Sequence, residues 1–198
     1  QRDIDTSRVV VSVPCGNLGN LTSGLMAKAM GLPIKRFVAA CNANDAFADY
    51  LYTGVFSPKP TQSTFTPAMD VDVPRNFPRI VQLLAAHSVQ PEDLHPCSIS
   101  DDETAQTIQD TYDNDGYLLD PHTAVAYRAL LGDISPDETG IVMGTAHPIK
   151  YKATVEHAIH ATIPVPERLQ RYLEAQKHTV KINSGYNSLK KFLLSQPQ

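Results

Sequence analysis

The chain opens on a strand, a tight turn, a helix and a second strand, and that order limits what the rest can become. Residues 8–13 (RVVVSV) are mostly β-branched, which is how a buried strand reads. The run stops at Pro14. It gives way to Cys15, Gly16, Asn17, Leu18, Gly19 and Asn20, a turn rich in Gly and Asn. From Leu21 to Met30, Leu21, Leu25 and Ala29 recur every four residues beside Met26 and Met30, so a helix here has an apolar face. Gly31 and Pro33 end it. Residues 34–40 read as another buried strand. Two strands joined through a helix lie parallel, and parallel sheets are covered by helices on both faces. The expected fold is α/β, a three-layer parallel-sheet domain.

The remainder keeps this alternation. A helix is expected over 44–52. Residues 54–75, rich in Pro, Thr and Ser without a period, read as a long loop, and such loops inside compact domains are often functional. Helical spacing returns over 77–86 through Phe77, Ile80, Val81 and Leu84. Ser100 and Glu103 form a capping box before a helix to about Asp113. Residues 116–119 suggest a short strand. Asp120-Pro121 places an N-cap and a first-turn proline ahead of a helix to Leu131. GIVMG (140–144) reads as a third central strand, followed by a turn at 145–148 and a helix to about His160. Helices near 166–177 and 186–195 close the chain.

Composition narrows the function classes. A net charge of −4 with no basic run argues against nucleic acid. No apolar stretch approaches the roughly 18 residues of a membrane span, and no leader is visible. Cys15, Cys41 and Cys97 are odd in number and irregular in spacing, so they read as reduced thiols in a cytoplasmic protein rather than a disulfide framework. The polar lead over residues 1–7, without an initiator Met, reads as the start of a fragment cut between two elements.

Three places could carry chemistry. The turn at 15–20 lies at the carboxyl end of a strand and opens a helix, where ligands bind in open α/β sheets. Free amides and the helix dipole at that point suit an anion. Its Gly-x-x-Gly spacing matches neither the dinucleotide fingerprint nor the P-loop, and a plain strand-to-helix turn accounts for it equally well. Gly144-Thr145-Ala146-His147-Pro148 follows another strand; Thr145 is either a ligand hydroxyl or the N-cap of the next helix. Asp120-Pro121-His122-Thr123-Ala124 says helix start. His122 and His147 could be ligands or bases. The seven histidines show no metal-ligand spacing, so no metal site is expected. Cys15 as a nucleophile with a His base would make a Cys–His hydrolase; a small buried thiol is the plainer reading.

Taken together, the motifs resemble one family. PCGNLGNLTSGLMAKAMGLPIKRFVAACNAND (14–45), AMDV (68–71) with NFPR (76–79), DPHTAVAYRAL (120–130) and GTAHPIKYK (144–152) resemble, in order, the landmarks of the threonine synthases. The resemblance implies a fold-type-II enzyme of the tryptophan synthase β-like class, truncated at its N-terminus. It would use pyridoxal 5'-phosphate (PLP) and convert O-phospho-L-homoserine and water to L-threonine and phosphate, as a carbon–oxygen lyase of threonine biosynthesis. Residues 1–160 would be the C-terminal part of the PLP-binding domain, and 161–198 a helical tail packed on it. Gly16, Asn17, Leu18, Gly19 and Asn20 would hold the cofactor phosphate, and Thr145 would face the pyridine nitrogen.

The family's Schiff-base lysine lies upstream of the phosphate loop. Here no lysine precedes Lys28, so no catalytic residue is assigned and the fragment is expected to be inactive without its N-terminal half. Cys15 and Leu18 stand where Ser and Phe are usual, and Asp49 where some relatives have Arg. An exposed docking face would favour self-association. The competing reading is a stand-alone phosphate- or nucleotide-binding module, with Asp45 as the residue nearest to a ribose-binding position.

Overall fold

In the computed structural model, which describes residues 5–195, four parallel strands form one sheet. They are β1 (Val9–Pro14), β2 (Arg36–Cys41), β3 (Leu94–Ser98) and β4 (Thr139–Val142), in the order β3-β2-β1-β4. Strand alternation sorts the side chains. Val9, Val11 and Val13 join Phe37, Ala39 and Cys41 on one face, against Leu21, Leu25, Phe47 and Ile80. These last four come from α1 (Gly19–Ala29), α2 (Ala46–Thr53) and α3 (Phe77–Ala85). Val10, Val38 and Ala40 face the other way, onto Val125, Ala126, Ala129 and Leu130 of α5 (Pro121–Asp133). Each such valine, fully buried, stabilises the fold by about 1.5–3 kcal/mol. Ser12 interrupts the apolar run without penalty, because its buried hydroxyl donates to the Ala126 carbonyl at 2.6 Å. Ile108 of α4 (Asp101–Asp115) and Val155, Ala158 and Ile159 of α6 (Lys152–Ile159) pack against Ala124 of α5.

Local signals placed most elements within a residue or two. The capping box at Ser100 and Glu103 and the Asp120 N-cap form as expected. Two expectations need correction, and one strand carried no signal. GIVMG is not a central strand: β4 is the outermost strand beside β1, and its Ile141 is 40% exposed. Residues 116–119 are not a strand; Gly116 ends α4 in the left-handed region, and the segment pairs with no strand. The segment 94–98 is a strand that sequence patterning missed. Pro96 lies inside it opposite Ala39, and proline is tolerated there because β3 lies at the sheet edge.

The chain divides into two compact units, one ending at Ile163 and one beginning at Pro164. The second holds α7 (Glu167–Glu174) and α8 (Tyr186–Leu194). In α7 the Arg171 guanidinium stacks over the Tyr172 ring, 4.6 Å from its centroid.

At the amino ends of the strands, Arg36 ties three elements together. It donates to Asp133 Oδ2 (2.7 Å) at the end of α5 and, through both terminal nitrogens, to Glu138 (2.5 and 2.8 Å) ahead of β4. Lys35 adds a 2.6 Å contact to Glu138. Arg36, then Lys35, holds the Glu138 carboxyl far below the usual carboxylate range. A carboxyl depressed on folding stabilises above its unfolded pKa, near 4.5, and loses that contribution as pH falls further. Glu138→Gln should therefore cost about 3 kcal/mol at neutral pH. In urea melts, the gap between the variant and the unaltered chain should narrow steadily below about pH 4.5.

Candidate functional site

The carboxyl ends of β1, β2 and β4 point to one side of the sheet, and a cleft of about 240 Å³ lies there. Its first wall is the turn after β1. Cys15 still donates to the Ala40 carbonyl at 2.8 Å, continuing the sheet by one bond. The backbone then reverses through Leu18, whose φ of 59° is left-handed. A non-glycine residue there costs about 1–2 kcal/mol, and burial of the leucine side chain offsets it by about 1.5–3 kcal/mol. The reversal starts α1 at Gly19 with no side-chain cap. The first amides of the helix are thus left to the cleft and carry the positive end of its dipole.

The second wall is the 3-10 turn Pro67–Met69 within the long loop. A Cβ on Gly16 would come 2.6 Å from the Ala68 carbonyl oxygen and 2.9 Å from Met69 Cα. Only glycine allows this approach. A Cβ on Gly19 would meet nothing nearer than Asn76 Nδ2 at 3.7 Å, so no packing contact within the chain demands that glycine. The turn is held by buried Asn42, whose Nδ2 shares its two hydrogens among Thr64 Oγ1, Thr66 Oγ1 and Asp70 Oδ1, all 2.8–2.9 Å away. Asn44 Nδ2 adds a bond to the same Asp70 oxygen at 3.0 Å. On the far side, Asn76 Nδ2 donates to the Asn17 carbonyl at 2.7 Å, and Arg79 donates to Asn76 Oδ1 at 2.8 Å.

The third wall comes from the start of α5 and the segment after β4. Asp120 caps α5 through the His122 amide (3.0 Å) and accepts from the His122 ring and the Thr123 hydroxyl. Burial works to raise the Asp120 carboxyl, but those hydrogen bonds outweigh it and hold the group below the usual range. Thr145 is exposed on the cleft rim. It does not cap the following turn; that cap is His147, whose Nδ1 accepts from the Ile149 amide at 3.2 Å.

The lining is Pro14, Gly16, Asn17, Leu18, Gly19, Asn20, Ala68, Met69, His122 and Thr145. Residues 16–20 and Thr145, to which the family resemblance gave cofactor roles, border this one cleft, as does His122; Cys15 and His147 do not line it. Ala68, Met69 and the anchor Asn76 carried no local signal for it, although AMDV and NFPR lay among the family landmarks. No lysine is in the lining. The arrangement suits a ligand with an anionic end against the uncapped helix and a polar atom toward Thr145. The Cys15 thiol is turned away from such chemistry. It is buried, and hydrogen bonding with Cys41, then desolvation, pushes its pKa well above the ordinary thiol value.

A family model described as "Threonine synthase, C-terminal" matches residues 123–193. The threonine synthase of Haemophilus influenzae is 43% identical over 186 residues, which are 94% of this chain and 44% of that protein. The crystal structure of threonine synthase from Escherichia coli superposes with a TM-score of 0.89 at 39% identity, covering 98% of this chain and 45% of that one. PLP-bound threonine synthase from Brucella melitensis gives a TM-score of 0.82 at 27% identity, covering 93% of this chain and 45% of that one. The chain thus spans less than half the length of these relatives, and its fold is that of the type II PLP enzymes.

Two measurements check the site's construction. Gly16→Ala should destabilise the chain by about 1–3 kcal/mol, as overpacked positions do, in chemical denaturation. With a neutral alkylating reagent and peptide mapping, half-buried Cys97 should react first, and buried Cys15 and Cys41 only on unfolding.

Proposed function

We propose that this chain, a member of the threonine synthase family matching the C-terminal portion of its relatives, is the part of such an enzyme that grips the phosphate of PLP. The support is that the turn at 16–20 and Thr145, far apart in sequence, border one cleft. The residues fit the group. Backbone amides at an uncapped helix start neutralise a phosphate without a basic side chain. Gly19 leaves room for a ligand: among the described residues a Cβ there would meet only Asn76 Nδ2, in ordinary contact at 3.7 Å. Thr145 offers a hydroxyl to the pyridine nitrogen but no negative charge that would hold a proton on it. When bound, PLP supplies an electron sink for carbanion chemistry.

The activity of the whole enzyme would be conversion of O-phospho-L-homoserine and water to L-threonine and phosphate. The lysine for it would come from the N-terminal portion, because no lysine precedes Lys28 in this chain and none lines the cleft. Alone, the chain would bind without turning over. The outer edge of β4, with Ile141 and Met143 exposed beside it, would receive that portion or, in its absence, a second copy of the chain. No helix among the described residues is long and apolar enough to cross a membrane, and the three cysteines are unpaired, which agrees with a cytoplasmic setting. As for a nucleotide module, Asp45, the residue nearest a ribose-binding position, is occupied in an ion pair with Lys59 at 2.8 Å.

Calorimetric titration with PLP, pyridoxal and AMP tests the reading. PLP should bind, pyridoxal should bind at least about tenfold more weakly for want of the phosphate, and AMP should not compete. Equal binding of AMP and PLP would favour the nucleotide module. Gly19→Ala should leave stability within about 0.5 kcal/mol, because its methyl meets only ordinary contact, yet weaken PLP about tenfold by crowding the cradle.

A further inference from the structure

The mechanism proposed above leaves one buried group on the cleft wall without a task. His122 is 2% exposed, with its ring 4.6 Å from that of Tyr151. Its Nδ1 lies 3.0 Å from Asp120 Oδ1, and its Nε2 accepts a hydrogen bond from the Ala68 amide at 3.3 Å. The two contacts fix the tautomer. A nitrogen that accepts from an N–H carries no hydrogen, so Nδ1 bears it and donates to the carboxylate. Asp120 is itself held in place, as the N-cap of α5 and the acceptor for Thr123. The ring is therefore aimed by a rigid helix start at the Ala68 amide of the turn that packs on Gly16; the turn's other amide, that of Met69, is taken by the Thr66 carbonyl.

We infer that His122, oriented by Asp120, is a positioning residue that latches the Pro67–Met69 turn onto Gly16 and so sets the width of the phosphate cradle. Ala68 is joined to His122 through its amide, and its carbonyl oxygen lies 2.6 Å from where a Cβ of Gly16 would be. A shift of the turn is thus a shift of the cradle's wall. The role in ligand binding rests on the PLP reading; the latch itself does not.

The first test needs no variant. Long-range 1H–15N correlation spectra of the intact chain should show His122 in the Nδ1–H tautomer; a hydrogen on Nε2 would set two donors against each other and overturn the latch. The second compares His122→Gln, whose amide reaches the Nε2 position as an acceptor, with His122→Asn, which reaches only the Nδ1 position. Both leave Asp120 its cap to the residue 122 amide. In His122→Asn the Ala68 amide should exchange about tenfold faster, the Gly16–Gly19 amide signals should move, and PLP should bind about tenfold more weakly. His122→Gln should restore all three. Unmoved Gly16–Gly19 signals and unchanged Ala68 exchange in His122→Asn would sink the inference, as would a folded His122→Gln that behaves like His122→Asn. If the unaltered chain takes up no PLP, the cofactor reading fails by itself, and the tautomer and exchange results still decide the latch.

Discussion

The Pro67–Met69 turn lies against Gly16 with no room for a side chain between them, and the geometry of the cleft depends on that contact. A backbone segment can approach another this closely only where one residue lacks a Cβ. The cost is that the turn must be located by groups outside the contact. Asn42 and Asp70 hold it from below, and His122 holds its amide from the side. Asn76 grips Asn17 on the opposite flank. Each restraint is a hydrogen bond from a different element, so the cradle inherits the rigidity of β2, α3 and α5 together. Net hydrogen bonds of about 1 kcal/mol each add little to global stability. Their value is in holding the loop amides in place before a ligand arrives.

The two ends of the sheet divide the work. At the amino ends, where no ligand is expected, charge pairs around Arg36 close the gap between β2, α5 and β4. At the carboxyl ends no Asp, Glu, Lys or Arg lines the cleft; its polar lining is backbone together with Asn, Thr and His side chains. This suits a cofactor phosphate, because a helix terminus and several amides distribute positive potential over its oxygens without the geometry of a single point charge. The strained Leu18 belongs to the same economy, since the reversal it permits is what points the start of α1 into the cleft.

Much of this was legible in the residues. The β-branched runs at 8–13 and 34–40, the Gly/Asn turn between them, and the caps at Ser100 and Asp120 are local signals with local causes, and they form where they were read. β3 was obscured by Pro96, which is acceptable only because the strand lies at an edge. β4 was misplaced in the sheet because the apolar run GIVMG says strand but not which neighbours it has. Sequence reasoning left open whether Thr145 met a ligand or capped a helix; the structure gives that cap to His147 and leaves Thr145 on the cleft rim. His122 stood out only as a possible ligand or base, and its partner, the Ala68 amide, lies 54 residues earlier in the chain.

By itself, the sequence determined a parallel α/β domain and a Gly/Asn-rich turn between its first strand and first helix. These follow from periodicity, capping and composition within windows of a few residues. Only the tertiary structure decided the strand order, the exposed flank at β4, and the meeting of residues 16–20, 67–69, 122 and 145 around one cleft. Those meetings depend on which strands pair and on how far the long loop folds back, and no local pattern encodes a contact between backbone groups distant in the chain.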